Sequence, residues 1–277
     1  MNRRSHSTLV WVGDHAGFLA LAILFLAPFA FILLTSVMTP EQAGTSFAWP
    51  TSWNWDNYAQ VFQKLPMLKY TGNSFFYAGL ATIFMLLSSI PAGYALARIQ
   101  FRGSNLLFLG IIAMMLLPPQ VTSVPLYVMW SNLGLTGSLW PLILPNLLGD
   151  AFSIFLLRQF FLTIPKEYTE AARLDGCGEL RTLIRVIVPM AKPGIAATAI
   201  FMFFASWNDY YGPLLYTSEN ESAWPVSYAL AQFRGARSVD WNLTMAATII
   251  AMIPVVLIFF LAQRIFVQGV TLTGVKG

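Results

Sequence analysis

Apolar residues in this chain run on for about twenty positions at a time instead of alternating or returning to one helical face. A hydrocarbon core of about 30 Å takes about 20 residues at 1.5 Å rise each. Six runs of that length, bounded by charged or turn residues, lie approximately at 18–37, 74–97, 106–130, 139–161, 194–216 and 243–267. Each predicts a membrane-spanning helix, because a helix satisfies its own backbone polar groups in lipid. The first run follows Arg3 and Arg4 as a signal peptide would. It exceeds the roughly 7 to 15 apolar residues of such a segment and lacks a convincing A-x-A exit, so it reads as a retained helix. Prolines recur inside the runs, among them Pro28, Pro91, Pro118, Pro119, Pro125, Pro145, Pro213 and Pro254. Proline kinks survive in lipid where neighbouring helices or water satisfy the released carbonyls, which points to a packed bundle with a polar passage.

Composition agrees. Hydrophobic residues make up 57% of the 277 and charged residues 10%, where a soluble domain carries roughly 25% charged residues; mean hydropathy is +0.63. The net charge of +4 is too small and too scattered for a nucleic-acid footprint. Sorted by connection, twelve basic residues (Arg3, Arg4, Arg98, Arg102, Arg158, Lys166, Arg173, Arg181, Arg185, Lys192, Arg264 and Lys276) fall on one side and four (Lys64, Lys69, Arg234 and Arg237) on the other. The positive-inside rule then places both termini in the cytoplasm. The expected organisation is a cytoplasmic N-terminus at 1–17, a first span at 18–37 and an extracytoplasmic loop at 38–73. A five-span core at 74–267 follows, with an outer loop at 217–242, and a cytoplasmic tail at 268–277 ends the chain. Cys177 is the one cysteine, which rules out an intramolecular disulfide, a CxxC pair or a thiolate zinc cage; His6 and His15 have no metal-ligand spacing.

The inner connection between the fourth and fifth runs is patterned. Pro165 can open a helix, Glu167 and Glu170 complement a helix N-terminus, and Gly176 can close it in a left-handed conformation. A short cytoplasmic helix is expected at 165–176. Ala171 and Ala172 would let another surface approach the backbone, whereas a solvated helix lying at the headgroups is the plainer alternative.

This connection reads Glu170-Ala171-Ala172-Arg173-Leu174-Asp175-Gly176, then nine residues, then Val186-Ile187-Val188-Pro189. It resembles the EAA motif of the membrane subunits of binding-protein-dependent ABC importers, with valines at Val186 and Val188 where that pattern usually has Ile and Leu. Pro118-Pro119-Gln120, Leu157-Arg158-Gln159-Phe160-Phe161, Ser206-Trp207-Asn208-Asp209-Tyr210 and the ending from Gln263 to Gly277 are similar to the MalG-like subunits of carbohydrate importers. The tail departs slightly at Leu272-Thr273. The resemblance implies an all-α integral membrane protein of six transmembrane helices, with the ABC importer permease (MetI-like) fold and a cytoplasmic coupling helix. It implies ATPase-coupling roles for Glu170, Ala171, Ala172, Asp175, Gly176 and Lys276. The implied partners are a second permease subunit, two ATP-binding cassette subunits and an extracytoplasmic solute-binding protein. ATP and Mg would be bound by the ATPase subunits, with no cofactor in this chain, in the cytoplasmic (inner) membrane of a bacterium.

A charged side chain at the centre of a span costs about 2.5 to 3.5 kcal/mol on insertion scales, so such residues usually face the bundle interior or water. Asp150, with Asn146 one turn before it, falls in the fourth run, and Asp209 in the fifth beside Trp207, Asn208 and Tyr210; Gln120 follows two prolines. Carboxylates and amides with aromatic faces suit a carbohydrate. Solute contact and helix packing both fit the Trp207-Asn208-Asp209 stretch, and the residues alone leave both open. The outer loop at 217–242, with Trp224-Pro225 and Arg234-Gly235, is either an ordered cap or a segment that reaches the binding protein. The expected function is translocation of a carbohydrate by alternating access, in a subunit that is not itself an enzyme. The alternative is an ion- or proton-coupled secondary transporter using Asp150 and Asp209. A membrane-embedded hydrolase would need a Ser/His/Asp constellation that the sequence does not display.

Overall fold

The computed structural model describes residues 3–45, 49–231 and 240–271, with side chains described for 15–44, 49–231 and 240–263. Among these residues every regular element is helical. The helices are α1 (Arg3–Ser36), α2 (Pro40–Thr45), α3 (Asp56–Lys64), α4 (Met67–Arg98), α5 (Ser104–Met115), α6 (Pro119–Asn132), α7 (Trp140–Ile143), α8 (Ala151–Thr163), α9 (Glu167–Leu174), α10 (Glu179–Thr182), α11 (Val188–Met190), α12 (Lys192–Trp207), α13 (Tyr211–Tyr216), α14 (Val226–Ala231) and α15 (Trp241–Thr271). Short 3₁₀ turns occupy Leu144–Leu148 and Glu221–Ala223, and a π turn occupies Leu183–Ile187. Among the described residues, four stretches are long and apolar enough to cross a membrane: His15–Ser36, Met67–Arg98, Trp140–Thr163 and Trp241–Gln263. Two bent pairs, Ser104–Met115 with Pro119–Asn132 and Glu179–Met190 with Lys192–Trp207, bring the number to six if each counts as one span.

Several boundaries differ from the sequence expectation, each for a local reason. The run at 106–130 is not one rod: it bends by 93° between α5 and α6, where Pro118 and Pro119 lack the N–H groups that would continue the ladder. The run at 139–161 is interrupted at Gly149, whose φ of 102° no L side chain adopts readily, so Asp150 begins α8 instead of lying inside a helix. The run at 194–216 stops at Trp207 and resumes at Tyr211. α9 is shorter than 165–176, spanning Glu167–Leu174.

The chain divides into two compact units, residues 1–67 with 230–253 and residues 68–229 with 254–277. In the first, α1 presents every side chain from His15 to Phe31 outward, Phe18 and Phe25 being 70% and 71% exposed, as suits a helix solvated by lipid. The carbonyl of Ser36, its last residue, which has no partner within the helix, and that of Met38 just beyond are taken up by Asn57 of α3. The Asn57 amide donates to Ser36 and Met38 carbonyls at 2.9 and 2.8 Å, and its Oδ1 accepts from Asn54 and Asn242. Four bonds saturate this fully buried amide. Trp49, Trp53, Trp55 and Tyr58 form a ladder of rings at 6.2–6.3 Å, and the three tryptophans stay exposed, the usual setting of an aromatic belt at a membrane–water interface.

The second unit is held by close helix crossings. Gly93 of α4 lies against α8 so tightly that a Cβ there would stand 3.2 Å from Leu157 Cβ and 3.3 Å from the Arg158 nitrogen. Gly194 of α12 lies over the ring of Phe160 of α8, in space that a Cβ would contest with the ring atoms. Small residues at such crossings let backbones approach where lipid supplies no hydrophobic drive. α5 packs on α8 through stacked Phe108 and Phe155, and the Arg158 guanidinium sits 3.9 Å over the Phe108 ring while donating to the Leu96 carbonyl. Tyr94, Leu157, Phe161, Ile164, Leu183, Ile187 and Ala191 make one buried cluster, and Tyr77, Ala81, Leu139 and Ile143 another.

Candidate functional site

The connection between α8 and α12 is a built surface. Lys166 precedes α9, Glu167 and Glu170 stand in its first turn, and Gly176 follows it at φ 77°, so the residues that pattern a helix start and stop here do so in three dimensions. Successive residues step by about 100° around the axis. Thr169 and Ala172 face one way and are buried against the chain itself, 4% and 7% exposed. Glu167, Glu170, Ala171 and Leu174 therefore point away from it and are exposed. Leu174, at 90% exposure, is a large apolar side chain with nothing over it. Of the two alanines of the motif, Ala171 is free for another surface and Ala172 supports the helix from beneath. Asp175 caps the end with its backbone N–H on the Ala171 carbonyl. Lys276 lies outside the described residues.

Two polar clamps hold the segments on either side of α9 to the end of α4. Arg98 donates through one terminal nitrogen to the carbonyls of Phe161 and Ile164, the last of α8 before the connection begins. Tyr94 donates to Glu179 Oε2 at 2.8 Å, and Arg173 Nε donates to Glu179 Oε1 at 2.9 Å. The hydrogen bond from the Tyr94 hydroxyl, foremost, holds the Glu179 carboxyl below its ordinary value; burial opposes it, and the hydrogen bond and charge of Arg173 add to the lowering. An open polar cavity of about 690 Å³ lies beside α9, lined among others by Arg98, Gln100, Ser104, Lys166, Glu170 and Arg173.

The residues expected along a solute passage divide by setting. Asp150 is an N-cap: its Oδ2 accepts from the Ser153 N–H at 2.7 Å, which contributes about 0.5–2 kcal/mol to α8. The Asn146 amide donates back to the carbonyls of Leu142 and Ile143, within its own turn. Asp209 is a junction. Its Oδ2 accepts from Tyr77 of α4 at 2.9 Å, its Oδ1 from the Gly212 N–H at 3.0 Å, and its carbonyl from Ser227 of α14 at 2.7 Å. Trp207 is buried at 3% exposure between Phe75 and Phe203, so its ring packs and presents no face to a solute. Asn208 is exposed, its amide donating to the Phe204 carbonyl. Tyr210 is 44% exposed beside Tyr228, and Gln120 is exposed at the start of α6, past the bend. Asp150 and Asp209 thus share a setting, each at a break in a helix, where an unpaired backbone N–H needs an acceptor.

The described part of the loop at 217–242 is ordered onto the start of α4. Asn73 donates to the carbonyls of Ser222 and Trp224, Tyr70 to Glu221, and Ser74 accepts from the Val226 N–H. Trp224 packs edge-on against Tyr228. Arg234-Gly235 lies outside the described residues.

The residues that hold the approaches to α9 carry no motif in the sequence: Arg98 reads there as an inner-side charge and Tyr94 as part of an apolar run. The available signal was their spacing: four residues apart on one helix, they share a face. Tyr77, the donor to Asp209, gave the same hint as a polar tip inside a span.

The pattern that defines binding-protein-dependent transport system inner membrane components matches residues 89–272. The chain is 32% identical over 276 residues to a probable ABC transporter permease protein, YurM, of Bacillus subtilis (strain 168), covering 98% of this chain and 89% of that one. It is 28% identical over 282 residues to the arabinooligosaccharides transport system permease protein AraQ of Halalkalibacterium halodurans, covering all of both. Its fold is similar to that of a chain in the crystal structure of a bacterial ABC transporter involved in the import of the acidic polysaccharide alginate. The TM-score is 0.79 at 22% identity, over 95% of this chain and 98% of that one. A helical chain with four to six candidate spans, an EAA-patterned helix between α8 and α12, and a family match over more than half its length belongs to the binding-protein-dependent transport system inner membrane components, the multi-pass permeases of ABC transporters.

Proposed function

We propose that this chain is the permease subunit of an ATP-driven importer that carries a carbohydrate across the bacterial cytoplasmic membrane by alternating access, with both termini and α9 in the cytoplasm. The observation that carries the reading is the outward face of α9. An eight-residue helix is not stable by itself in water, yet this one is built into the body on its Thr169–Ala172 side and leaves Glu170, Ala171 and Leu174 uncovered. That face fits a socket: an apolar knob, a small residue for close approach, and a carboxylate for a partner's arginine. The partner is an ATPase subunit, one of two that bind ATP and Mg, and a second permease chain and a solute-binding protein complete the complex. The relative named for arabinooligosaccharides supports a sugar, as do exposed Gln120, Asn208 and Tyr210, which offer amides and an aromatic face. Asp150 and Asp209, the carboxylates on which a proton-coupled carrier would draw, each accept hydrogen bonds at a helix break, and such a carrier would leave the outward face of α9 without a partner.

The test is reconstitution of the full complex in liposomes, with ATP hydrolysis assayed against arabino-, malto- and alginate oligosaccharides, with and without the binding protein. Stimulation that requires both the binding protein and a sugar is expected. Uptake that needs no ATPase subunit and collapses with the proton gradient would overturn the reading.

A further inference from the structure

α9 is attached to the next helix through Gly176-Cys177-Gly178; the Gly176 and Cys177 N–H groups close back onto the Arg173 and Ala172 carbonyls of α9, so the chain turns towards α10 at Gly178, where a glycine leaves the backbone free to pivot. A force applied to α9 from outside would be absorbed at that joint unless something bridges it. Glu179 is the bridge. Its two carboxylate oxygens take one donor each from two different elements: Oε1 from Arg173 on α9 and Oε2 from Tyr94 on α4. Tyr94 is 2% exposed and belongs to the buried cluster with Leu157, Phe161, Leu183 and Ile187, so its hydroxyl is fixed by packing. Arg98, one turn further along α4, holds the carbonyls of Phe161 and Ile164 at the other end of the same connection. Both approaches to α9 are therefore gripped by one face of one helix. The Arg173–Glu179 ion pair is 46% and 41% exposed, and a pair so placed contributes little to stability; what it contributes is a direction.

We propose that Glu179 is a positioning residue that locks α9 to α4, so that movement of the docking helix is delivered to α4 and not lost in the Gly176–Gly178 joint. The proposal rests on the coupling role given to α9 above. It assigns to the last turns of α4 the task of receiving the ATPase stroke.

The experiment uses the complete complex in liposomes and the oligosaccharide that stimulates the wild type most. Solute-stimulated ATP hydrolysis and uptake per ATP are measured for Glu179→Gln, Glu179→Asp, Tyr94→Phe and Arg173→Met. The ATPase subunits are expected to co-purify with Glu179→Gln in the wild-type ratio while uptake per ATP falls about tenfold, the scale of one charge-assisted hydrogen bond. Glu179→Asp, which keeps the carboxylate, should recover much of the loss. Arg173→Met, on the exposed side and without consequence for the core, should reproduce it, and adding it to Glu179→Gln should cost no more than the single change, as members of one network behave. Wild-type uptake per ATP in both Glu179→Gln and Arg173→Met would overturn the proposal, as would release of the ATPase subunits by either. A wild-type complex with no sugar-stimulated hydrolysis would instead remove the importer reading on which the proposal stands.

Discussion

Asp209 shows how a carboxylate in a membrane protein is engaged by donors at a break in a helix. Its carboxylate accepts from the Tyr77 hydroxyl and from the Gly212 N–H, and Tyr77 is 6% exposed. Removing the acceptor takes from a buried hydroxyl and a backbone N–H the group to which each donates, and an unmet buried donor costs about 1–3 kcal/mol. Asp209→Ala is therefore expected to lower the unfolding temperature of the detergent-purified complex by several degrees, whereas Tyr77→Phe, which leaves the carboxylate its Gly212 donor, should cost less. Equal thermal stability of Asp209→Ala and wild type would show that these bonds carry no weight. Glu179 makes a second prediction, in pH. Its folded value lies below the ordinary 4.5, so its contribution is fully present above that value and lost as pH falls through the lower one. The wild type should lose more thermal stability than Glu179→Gln on going from neutral pH to below 4.5; parallel loss in both would contradict it.

At the scale of elements, the crossings are set by what is missing from side chains. α12 meets α8 where Gly194 lies over Phe160. A methyl group there must displace an aromatic ring inside a packed interface, and overpacking of this kind costs about 1–3 kcal/mol. Gly194→Ala is expected to reduce the yield of assembled complex, and Gly194→Ala with Phe160→Leu to restore it, measured by size-exclusion chromatography in detergent. No loss in the single variant would mean that the two helices separate easily. The 93° bend between α5 and α6 is the counterpart. Pro118 and Pro119 open the backbone there, and open backbone at membrane depth is tolerated only where protein or water covers it. Gln120 stands next to that opening.

For the whole molecule, the sidedness of its charges decides which face meets which partner. On the proposed topology, twelve basic residues against four would place the α8–α12 connection inside the cell. Cys177, the one cysteine in the chain and partly exposed just after α9, gives a direct check. A membrane-impermeant maleimide is expected to label it in inside-out vesicles and not in intact cells, and bound ATPase subunits should protect it. Labelling from outside intact cells would reverse the topology and remove α9 from the reach of any cytoplasmic partner.

Much of this was legible from the residues alone. Apolar run length is a local property that lipid imposes on any spanning segment, so the helices could be read one by one. The start and stop signals of α9 are equally local, which is why Glu167, Glu170 and Gly176 marked it in advance. Tertiary structure decided what those elements do to one another. Asp150 could be read as a mid-span charge until Gly149 at φ 102° broke the helix and turned the carboxylate into a cap. Trp207 could be read as a stacking platform until Phe75 and Phe203 enclosed it. The grip of Tyr94, Arg98 and Glu179 on α9 joins residues up to 85 positions apart. Partners at that separation are chosen by packing, and no window of sequence contains them.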